Sequence, residues 1–387
     1  MCIRDSNLIS PADLDNGKYV ITAHKQLSRK GFHECRPLPK HTVLVGCIGN
    51  VGKLGMVGDD RSATNQQINA VIPNEANDAH FIYYCLHANR RRLEQAADKT
   101  TLPIINKTNF ENFEIDIPSL PEQRKIARLL GAVQRAMEQQ ERLLVLSAEL
   151  KRALTHQLFT HGLSVEPQKQ TDIGFVPQSW EVLPLGDVMS EDPKNGLYKH
   201  NSDYGSGTQI LRINDFSNDG DVVNSASHRV LTTASDNKLY GLRNDDIVTN
   251  RVNSLSHLGK TALIDQLSET MVFESNMMRF RVDERRVLPR YILRLLNSPI
   301  CKKQIIGNAK PAVAQSSINQ GNLKATLLPL PPIELQKEIS DIVESAVTKM
   351  SMHERTRLSL AALFRTLLHQ LMSAQIRVLD LDLSELE

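Results

Sequence analysis

The sequence has few of the features that mark several special classes of protein. Its 387 residues include five cysteines, one tryptophan, seven tyrosines and ten phenylalanines, and the formal net charge is only +2. The cysteines are scattered without a Cys-x-x-Cys pair, which excludes a disulfide scaffold and favours free thiols in a reducing cytoplasm. No apolar run approaches the ~18 residues that a membrane helix needs, and the opening residues lack the pattern of a signal peptide. We therefore expect a cytoplasmic protein of about two or three globular domains.

The sequence also lacks the motifs of common enzymes. Gly46–Lys53 resembles a phosphate-binding loop, but Cys47 takes the place of the first glycine and Leu54 follows the lysine, so a glycine-rich hairpin with positive φ angles is the better interpretation. No Gly-x-Ser-x-Gly motif and no cofactor signature of a DNA methyltransferase occur, and His33 and Cys35 have no second pair of metal ligands. We predict no catalytic site, no metal and no cofactor held by this chain.

A duplication is the strongest signal. Shifting the sequence by 213 residues aligns 105–160 with 318–373 without a gap, and 16 of the 56 aligned positions are identical. Upstream of the two aligned stretches, the glycine-rich segment 43–53 resembles residues 247–260. The chain is thus predicted to be a tandem repeat in which each half is a mixed segment followed by a long helix. By comparison with the second half, the first half lacks about 25 residues at its start, and residues 1–6 resemble a translated adaptor that is not native.

Apolar residues at intervals of three and four predict a helix from Pro121 to Phe159, about 60 Å long, and a matching one after Pro331. The two helices are expected to bury their apolar stripes against each other as an antiparallel coiled coil, with Gln140 and His353 among the polar residues near the seam. The alternative is that each helix packs only on its own domain. The predicted helix-pair and partner interface consists of Ile126, Leu130, Val133, Met137, Leu144, Leu154, Ile339, Val343, Met350 and Leu367.

These patterns predict an α+β protein with two mixed α/β domains separated by two long helices in a pseudo-two-fold arrangement. The predicted boundaries are 1–117 for the first domain, 118–165 for the central helix, 166–330 for the second domain, 331–376 for the C-terminal helix and 377–387 for an acidic tail. A pair of similar modules at a fixed spacing suits the reading of two separated half-sites on a duplex.

Two related motifs carry a resemblance to a known family. The pattern P-x-x-x-[EL]-Q-[RK]-x-I runs from Pro118 to Ile126, overlapping the stretch Leu120–Leu144, and again from Pro331 to Ile339 within Leu330–Val343. WEVLPLGDV opens the second half at Trp180. With the hairpins that end at Lys53 and Lys260, these marks make the sequence similar to the specificity subunit of type I restriction-modification systems, truncated at its N-terminus. The second motif departs from the first, with Leu335 in the place of Glu122.

The resemblance implies a non-catalytic subunit that binds double-stranded DNA. Each target-recognition domain would read one half of a bipartite site, while the helices set the gap and dock methyltransferase subunits. S-adenosylmethionine and ATP would belong to those subunits and to the endonuclease/translocase subunits. A scaffold that binds only proteins and a fused nuclease-methyltransferase are the alternatives.

Candidate DNA contacts are polar residues on the predicted hairpins and turns. Lysine and arginine would contact phosphates, and arginine, asparagine and glutamine would read base edges. Each candidate could equally be a polar residue that stabilises the fold. The candidates are Lys53, Gln66 and Gln67 in the first domain and Arg212, Arg251, Lys260 and Asn276 in the second, with further basic clusters such as Arg279 and Arg281.

Overall fold

The computed structural model describes residues 4–15, 17–98, 102–222, 228–310 and 315–378. The chain divides into two compact units. Unit 1 combines Met1–Leu144 with His353–Glu387, and unit 2 is Val145–Met352. Each unit therefore contains one mixed segment together with part of each long helix.

The first half of the chain holds seven strands and five helices within the described residues. The strands are β1 (Arg4–Ile9), β2 (Tyr19–Val20), β3 (Lys25–Ser28), β4 (Val43–Gly46), β5 (Leu54–Val57), β6 (Ser62–Thr64) and β7 (Ile68–Val71). The helices are α1 (Arg29–His33), α2 (Ala79–Ala88), α3 (Arg90–Gln95), α4 (Lys107–Glu111) and the long α5 (Leu120–Thr160).

The second half holds thirteen strands and five helices within the described residues. The strands are β8 (Gln168–Thr171), β9 (Gly174–Pro177), β10 (Glu181–Pro184), β11 (Met189–Asn195), β12 (Tyr204–Leu211), β13 (Arg229–Val230), β14 (Ile247–Asn250), β15 (Val252–Asn253), β16 (Thr261–Leu263), β17 (Met271–Phe273), β18 (Met277–Val282), β19 (Ser316–Ser317) and β20 (Leu327–Leu330). The helices are α6 (Ala234–Tyr240), α7 (Pro289–Leu296), α8 (Pro299–Gly307), α9 (Gln320–Lys324) and the long α10 (Ile333–Met372).

Strand pairing repeats between the two halves. In unit 1, β1 pairs antiparallel with β3 and parallel with β6, and β4 pairs antiparallel with both β5 and β7. In unit 2, β12 pairs in the same way with β13 and β17, and β14 pairs with β16 and β18. The duplication of the mixed segment inferred from the sequence is therefore confirmed at the level of topology.

The two long helices have 41 and 40 residues, close to the predicted length. In unit 1, residues from the start of α5 and the end of α10 share one core, and Gln140 Oε1 lies 2.8 Å from His353 Nδ1. Since early α5 meets late α10, the helices run antiparallel within this unit and do not pack only on their own domains. The shared core includes Ile126, Ala127, Leu130 and Val133 of α5 and Phe364, Leu368 and Leu371 of α10.

The predicted interface residues divide between the cores of the two units. Met137 and Leu367 pack against the core of unit 1, while Leu154, Ile339 and Val343 belong to or pack against that of unit 2. Leu144 and Met350 are half-buried. Leu150 and Leu363 carry the same apolar spacing but are 56% and 46% exposed, so the apolar stripe is wider than the buried seam.

A buried glutamine fixes the start of each long helix. Gln123 Oε1 accepts a hydrogen bond from Asp78 N at 2.8 Å, and its Nε2 donates to Pro118 O at 2.9 Å. Gln336, its repeat equivalent, accepts from Leu288 N at 2.9 Å and donates to Pro331 O at 3.0 Å. Because Asp78 and Leu288 each precede a helix of the mixed segment, the repeated motif joins that helix to the long one in both units.

Candidate nucleic-acid interface

A hairpin loop and a neighbouring turn form the candidate site of unit 1. Gly46 N donates to Lys53 O at 2.8 Å across the β4–β5 loop, and Cys47 N donates to Gln67 O at 2.9 Å in the β6–β7 turn. Gly49 and Gly52 have φ angles of 75° and 82°, as predicted for a glycine-rich hairpin. The loop is thus held against the turn that carries two of the candidate residues.

Unit 2 builds the same scaffold from different residues. Asn250 N donates to Lys260 O at 2.8 Å, and Arg251 N donates to Asn276 O at 2.8 Å. A third contact is also repeated, because Ile105 N donates to Cys47 O at 3.0 Å and Ile318 N donates to Arg251 O at 2.9 Å. The backbone therefore places Arg251 where unit 1 has Cys47, and Asn276 where unit 1 has Gln67.

The candidate side chains of unit 1 are accessible. Gln66 and Gln67 are exposed and Lys53 is half-buried. Gln67 Oε1 accepts from Asn65 Nδ2 at 3.0 Å, and Gln67 N donates to Asn65 Oδ1 at 3.0 Å. Asn65 thus orients the neighbouring glutamine and limits its rotamers, which lowers the entropy that binding would cost.

In unit 2, a buried glutamate holds the turn and one candidate arginine. Glu274 is 6% exposed and accepts from Ile213 N at 2.7 Å and from Arg212 Nε at 3.3 Å. Arg251 is half-buried, and its guanidinium donates to Ser275 O at 3.3 Å. The turn at 274–276 thus brings Arg212, Arg251 and Asn276 together.

Lys260 has a different environment from that expected of a phosphate contact. It is only 6% exposed, and its Nζ donates to Phe216 O at 2.8 Å and lies 4.5 Å from the centre of the Phe216 ring. Burial lowers the pKa of this lysine. Its ammonium group already has an internal partner, and a contact with DNA stays a prediction.

The basic cluster of Arg279 and Arg281 is largely neutralised within unit 2. Asp246, which is fully buried, lies 3.6 Å from Arg279 and 2.6 Å from Arg281. Arg279 also donates to Gly241 O at 2.7 Å. Sequence reasoning missed Asp246 and Glu274, since a single acidic residue between strands gives no signal of the arginine that it will meet.

Within the described residues, no group of three or more His, Cys, Asp or Glu side chains is arranged to hold a metal ion. Cys35, Cys47, Cys85 and Cys301 are free thiols. None of the described helices has the length and apolar character needed to cross a membrane.

Comparisons with known proteins agree with the repeated scaffold. A family model for the type I restriction modification DNA specificity domain matches residues 5–146 and again residues 177–360. The putative type I restriction enzyme MjaX specificity subunit of Methanocaldococcus jannaschii is 34% identical over 175 residues, which are 45% of this chain and 41% of that protein. The MjaVIII specificity subunit of the same organism is 23% identical over 340 residues, 86% of this chain and 77% of that protein. The matched part thus spans less than half of the MjaX protein.

A solved structure shares the fold. The S subunit of a type I restriction-modification system from M. genitalium superposes with a TM-score of 0.61 and 16% identity, covering 95% of this chain and 92% of that one. The family model matches each half of the duplicated sequence and covers most of the chain. The chain therefore belongs to the family of type I restriction-modification DNA specificity proteins.

Proposed function

We propose that this protein is the non-catalytic DNA specificity subunit of a cytoplasmic type I restriction-modification complex, and that each unit reads one half of a bipartite site. Besides family membership, the proposal rests on the side chains that the two units present. The two units share one hydrogen-bonded backbone scaffold but present different side chains on it, Cys47 and Gln67 in one and Arg251 and Asn276 in the other. A shared scaffold with different polar groups suits two readers of different base sequences.

The chemistry of these side chains suits base reading. A glutamine amide can make two hydrogen bonds to adenine in the major groove, and an arginine guanidinium can make two to guanine. Asn65 and Ser275 hold Gln67 and Arg251, respectively, beside the turn. The +2 net charge gives a weak overall field, so DNA affinity is expected to depend on partner subunits as well.

Mapping modified bases tests the proposal. A host that expresses this subunit with its methyltransferase partner should show one asymmetric motif in two parts. Arg251→Ala should relax specificity in one half only, and Gln67→Ala in the other, each by about 1–3 kcal/mol at the affected position. Arg285→Ala is the matched control for Arg251→Ala, since Arg285 is 89% exposed and paired with Asp283.

The same experiment separates the alternatives. A protein-binding scaffold would give a modification complex without sequence preference, and the variants would then change nothing. Modification by the isolated chain would favour the fused enzyme. Relaxation of both half-sites by either single variant would contradict the assignment of one half to each unit.

We further propose that the long helices dock two copies of a methyltransferase subunit, which holds S-adenosylmethionine, and that ATP-dependent endonuclease/translocase subunits join that complex. Val145 and Leu150 are 59% and 56% exposed, and their repeat equivalents Leu358 and Leu363 are 54% and 46% exposed. Exposed apolar residues at equivalent positions of a repeat suit two copies of one partner.

Copurification with the methyltransferase subunit tests this docking surface. Leu150→Glu and Leu363→Glu should each remove one of two bound copies, because a buried carboxylate without a partner is costly. Thr348→Glu, at an exposed position of α10, is the control. If the double variant Leu150→Glu/Leu363→Glu retained two copies of the methyltransferase subunit, the assignment of this docking surface would be refuted.

A further inference from the structure

A strongly basic segment of unit 1 starts with β3 and ends just before β4. Residues 25–40 contain five Lys or Arg and one acidic residue, Glu34, so this segment carries a net charge of +4, whereas the whole chain carries +2. Four of its cations are exposed side chains on β3, on α1 or directly after α1, and we call them the β3–α1 patch. They are Lys25, Arg29, Lys30 and Arg36.

The carboxylates of the neighbouring strand β1 and of the β5–β6 loop are engaged with other groups. Asp5 lies 3.0 Å from Arg61, and Asp59 accepts a hydrogen bond from Arg61 N at 3.1 Å. Asp60 accepts from Lys40 N at 3.0 Å. Within the described residues, none of the four patch cations forms an ion pair. The four charges therefore repel one another, and a negatively charged partner would relieve that repulsion.

Strand pairing places one end of the patch beside the candidate turn of unit 1. Strand β1 lies between β3 and β6. Leu8 of β1 is opposite Lys25 of β3 on one side and opposite Ala63 of β6 on the other. Strand β6 leads directly into the turn at residues 65–67, which carries two of the candidate DNA contacts. Lys25 is thus two strands away from the start of that turn.

The other end of the patch lies beyond β6. Leu38 N donates to Ser62 O at 2.8 Å, and Arg36 comes two residues before Leu38. Helix α1, with Arg29 and Lys30, connects β3 to this segment. Three strand spacings separate the two ends, about 14 Å in all. A DNA strand carries one phosphate per about 3.4 Å of helix axis, so the patch can span about four phosphates.

The equivalent elements of unit 2 are close to neutral. Strand β13 and helix α6 take the places of β3 and α1. Arg229 of β13 pairs with Glu269 at 2.7 Å, and α6 carries Asp236 and Lys238, which have opposite charges. The two units therefore share these elements but differ in the charge on them.

We infer that the β3–α1 patch binds the phosphates of duplex DNA next to the half-site that unit 1 reads, an inference that rests on the proposed function. Unit 1 accordingly supplies more of the sequence-independent affinity than unit 2. Phosphate contacts by lysine and arginine release counterions from DNA, and they fix the position of a reader without selecting bases. The bases would still be selected by the side chains on the hairpin scaffold of each unit.

The experiment measures DNA binding by the complex of this chain with the methyltransferase subunit, over a series of salt concentrations. The probe is a fluorescently labelled duplex of random sequence, and the variant is Arg29→Gln/Lys30→Gln. Loss of two phosphate contacts should reduce the steepness of log K against log salt by about 1.8 and weaken binding about tenfold at low salt. The bipartite motif that is modified should stay the same, because phosphate contacts carry no sequence information.

The matched control removes the same charge from the equivalent elements of unit 2. Arg229→Gln/Lys238→Gln should change the steepness by less than about half as much, because Arg229 already has a carboxylate partner.

Three outcomes would overturn the inference. The first is an unchanged salt dependence in Arg29→Gln/Lys30→Gln, and the second is an equal change in the unit 2 control. The third is loss of the methyltransferase subunit from the variant while the remaining complex keeps its salt dependence, which would assign the patch to an acidic protein surface. Binding to random-sequence DNA needs no sequence preference, so these results are distinguishable from failure of the proposed function, in which no modified motif would appear.

Discussion

Replacing Gln123 with leucine tests how the repeated motif stabilises unit 1. The side chain is 1% exposed, and its two strong hydrogen bonds join Asp78 N and Pro118 O. Losing two such bonds costs about 1 kcal/mol each, and leaving the Asp78 N–H without an acceptor adds about 1–3 kcal/mol. We expect Gln123→Leu to lower the free energy of unfolding of unit 1 by about 3–5 kcal/mol.

The assay must follow the two units separately. A protein of two units need not unfold in one step, so urea denaturation should be combined with amide hydrogen exchange. Exchange should accelerate in α2 and at the start of α5. Gln139→Leu, on the exposed face of the same helix, should change the free energy by less than about 0.5 kcal/mol.

The repeat supplies a second comparison. Gln336→Leu should have the same effect in unit 2, with faster exchange in α7, because Gln336 accepts from Leu288 N. The reasoning would be refuted if Gln123→Leu and Gln139→Leu gave equal stability, or if Gln336→Leu accelerated exchange in α2 instead of α7.

Two further substitutions address buried polar groups. Burial lowers the pKa of Lys302 to about 8, so below pH 8 the folded state holds a desolvated ammonium group that lowers its stability. The stability of unit 2 should rise as pH increases from about 8 towards 10.5. Lys302→Met should therefore stabilise unit 2 by about 1–3 kcal/mol at pH 7 and by less at pH 9.5, as urea unfolding at both pH values would show; a pH-independent difference would contradict this. Gln140→Leu should cost about 1–2 kcal/mol by leaving His353 Nδ1 without its partner. The double variant Gln140→Leu/His353→Leu should cost less than the sum of the single variants, and strict additivity in a double-mutant cycle would rule out the coupling.

Repeating and periodic features were predictable from the sequence. The long helices, the antiparallel seam, the Gln140–His353 region and the positive φ angles of Gly49 and Gly52 all follow from spacing or from the chemistry of one residue. The predicted boundaries of the recognition domains and the list of DNA contacts stay predictions.

Contacts between distant parts of the chain were not predictable. Lys53 and Lys260 look like free cations in the sequence, but each ammonium group donates to a distant backbone carbonyl, that of Pro11 at 3.5 Å and that of Phe216 at 2.8 Å. Asp246 neutralises Arg279 and Arg281 in the same manner. Nor did apolar spacing distinguish the exposed Leu150 from the buried Leu130, because one helix face can serve both a core and an open surface.

The discontinuity of unit 1 affects the order in which the protein can fold on the ribosome. Unit 2 is one continuous stretch, Val145–Met352, and can fold as soon as this stretch has been translated. The core of unit 1 needs Phe364, Leu368 and Leu371, which leave the exit tunnel hundreds of residues after β1. Unit 1 contains the first residues translated but is therefore the last unit to be completed, and a frameshift late in the gene would remove part of its core.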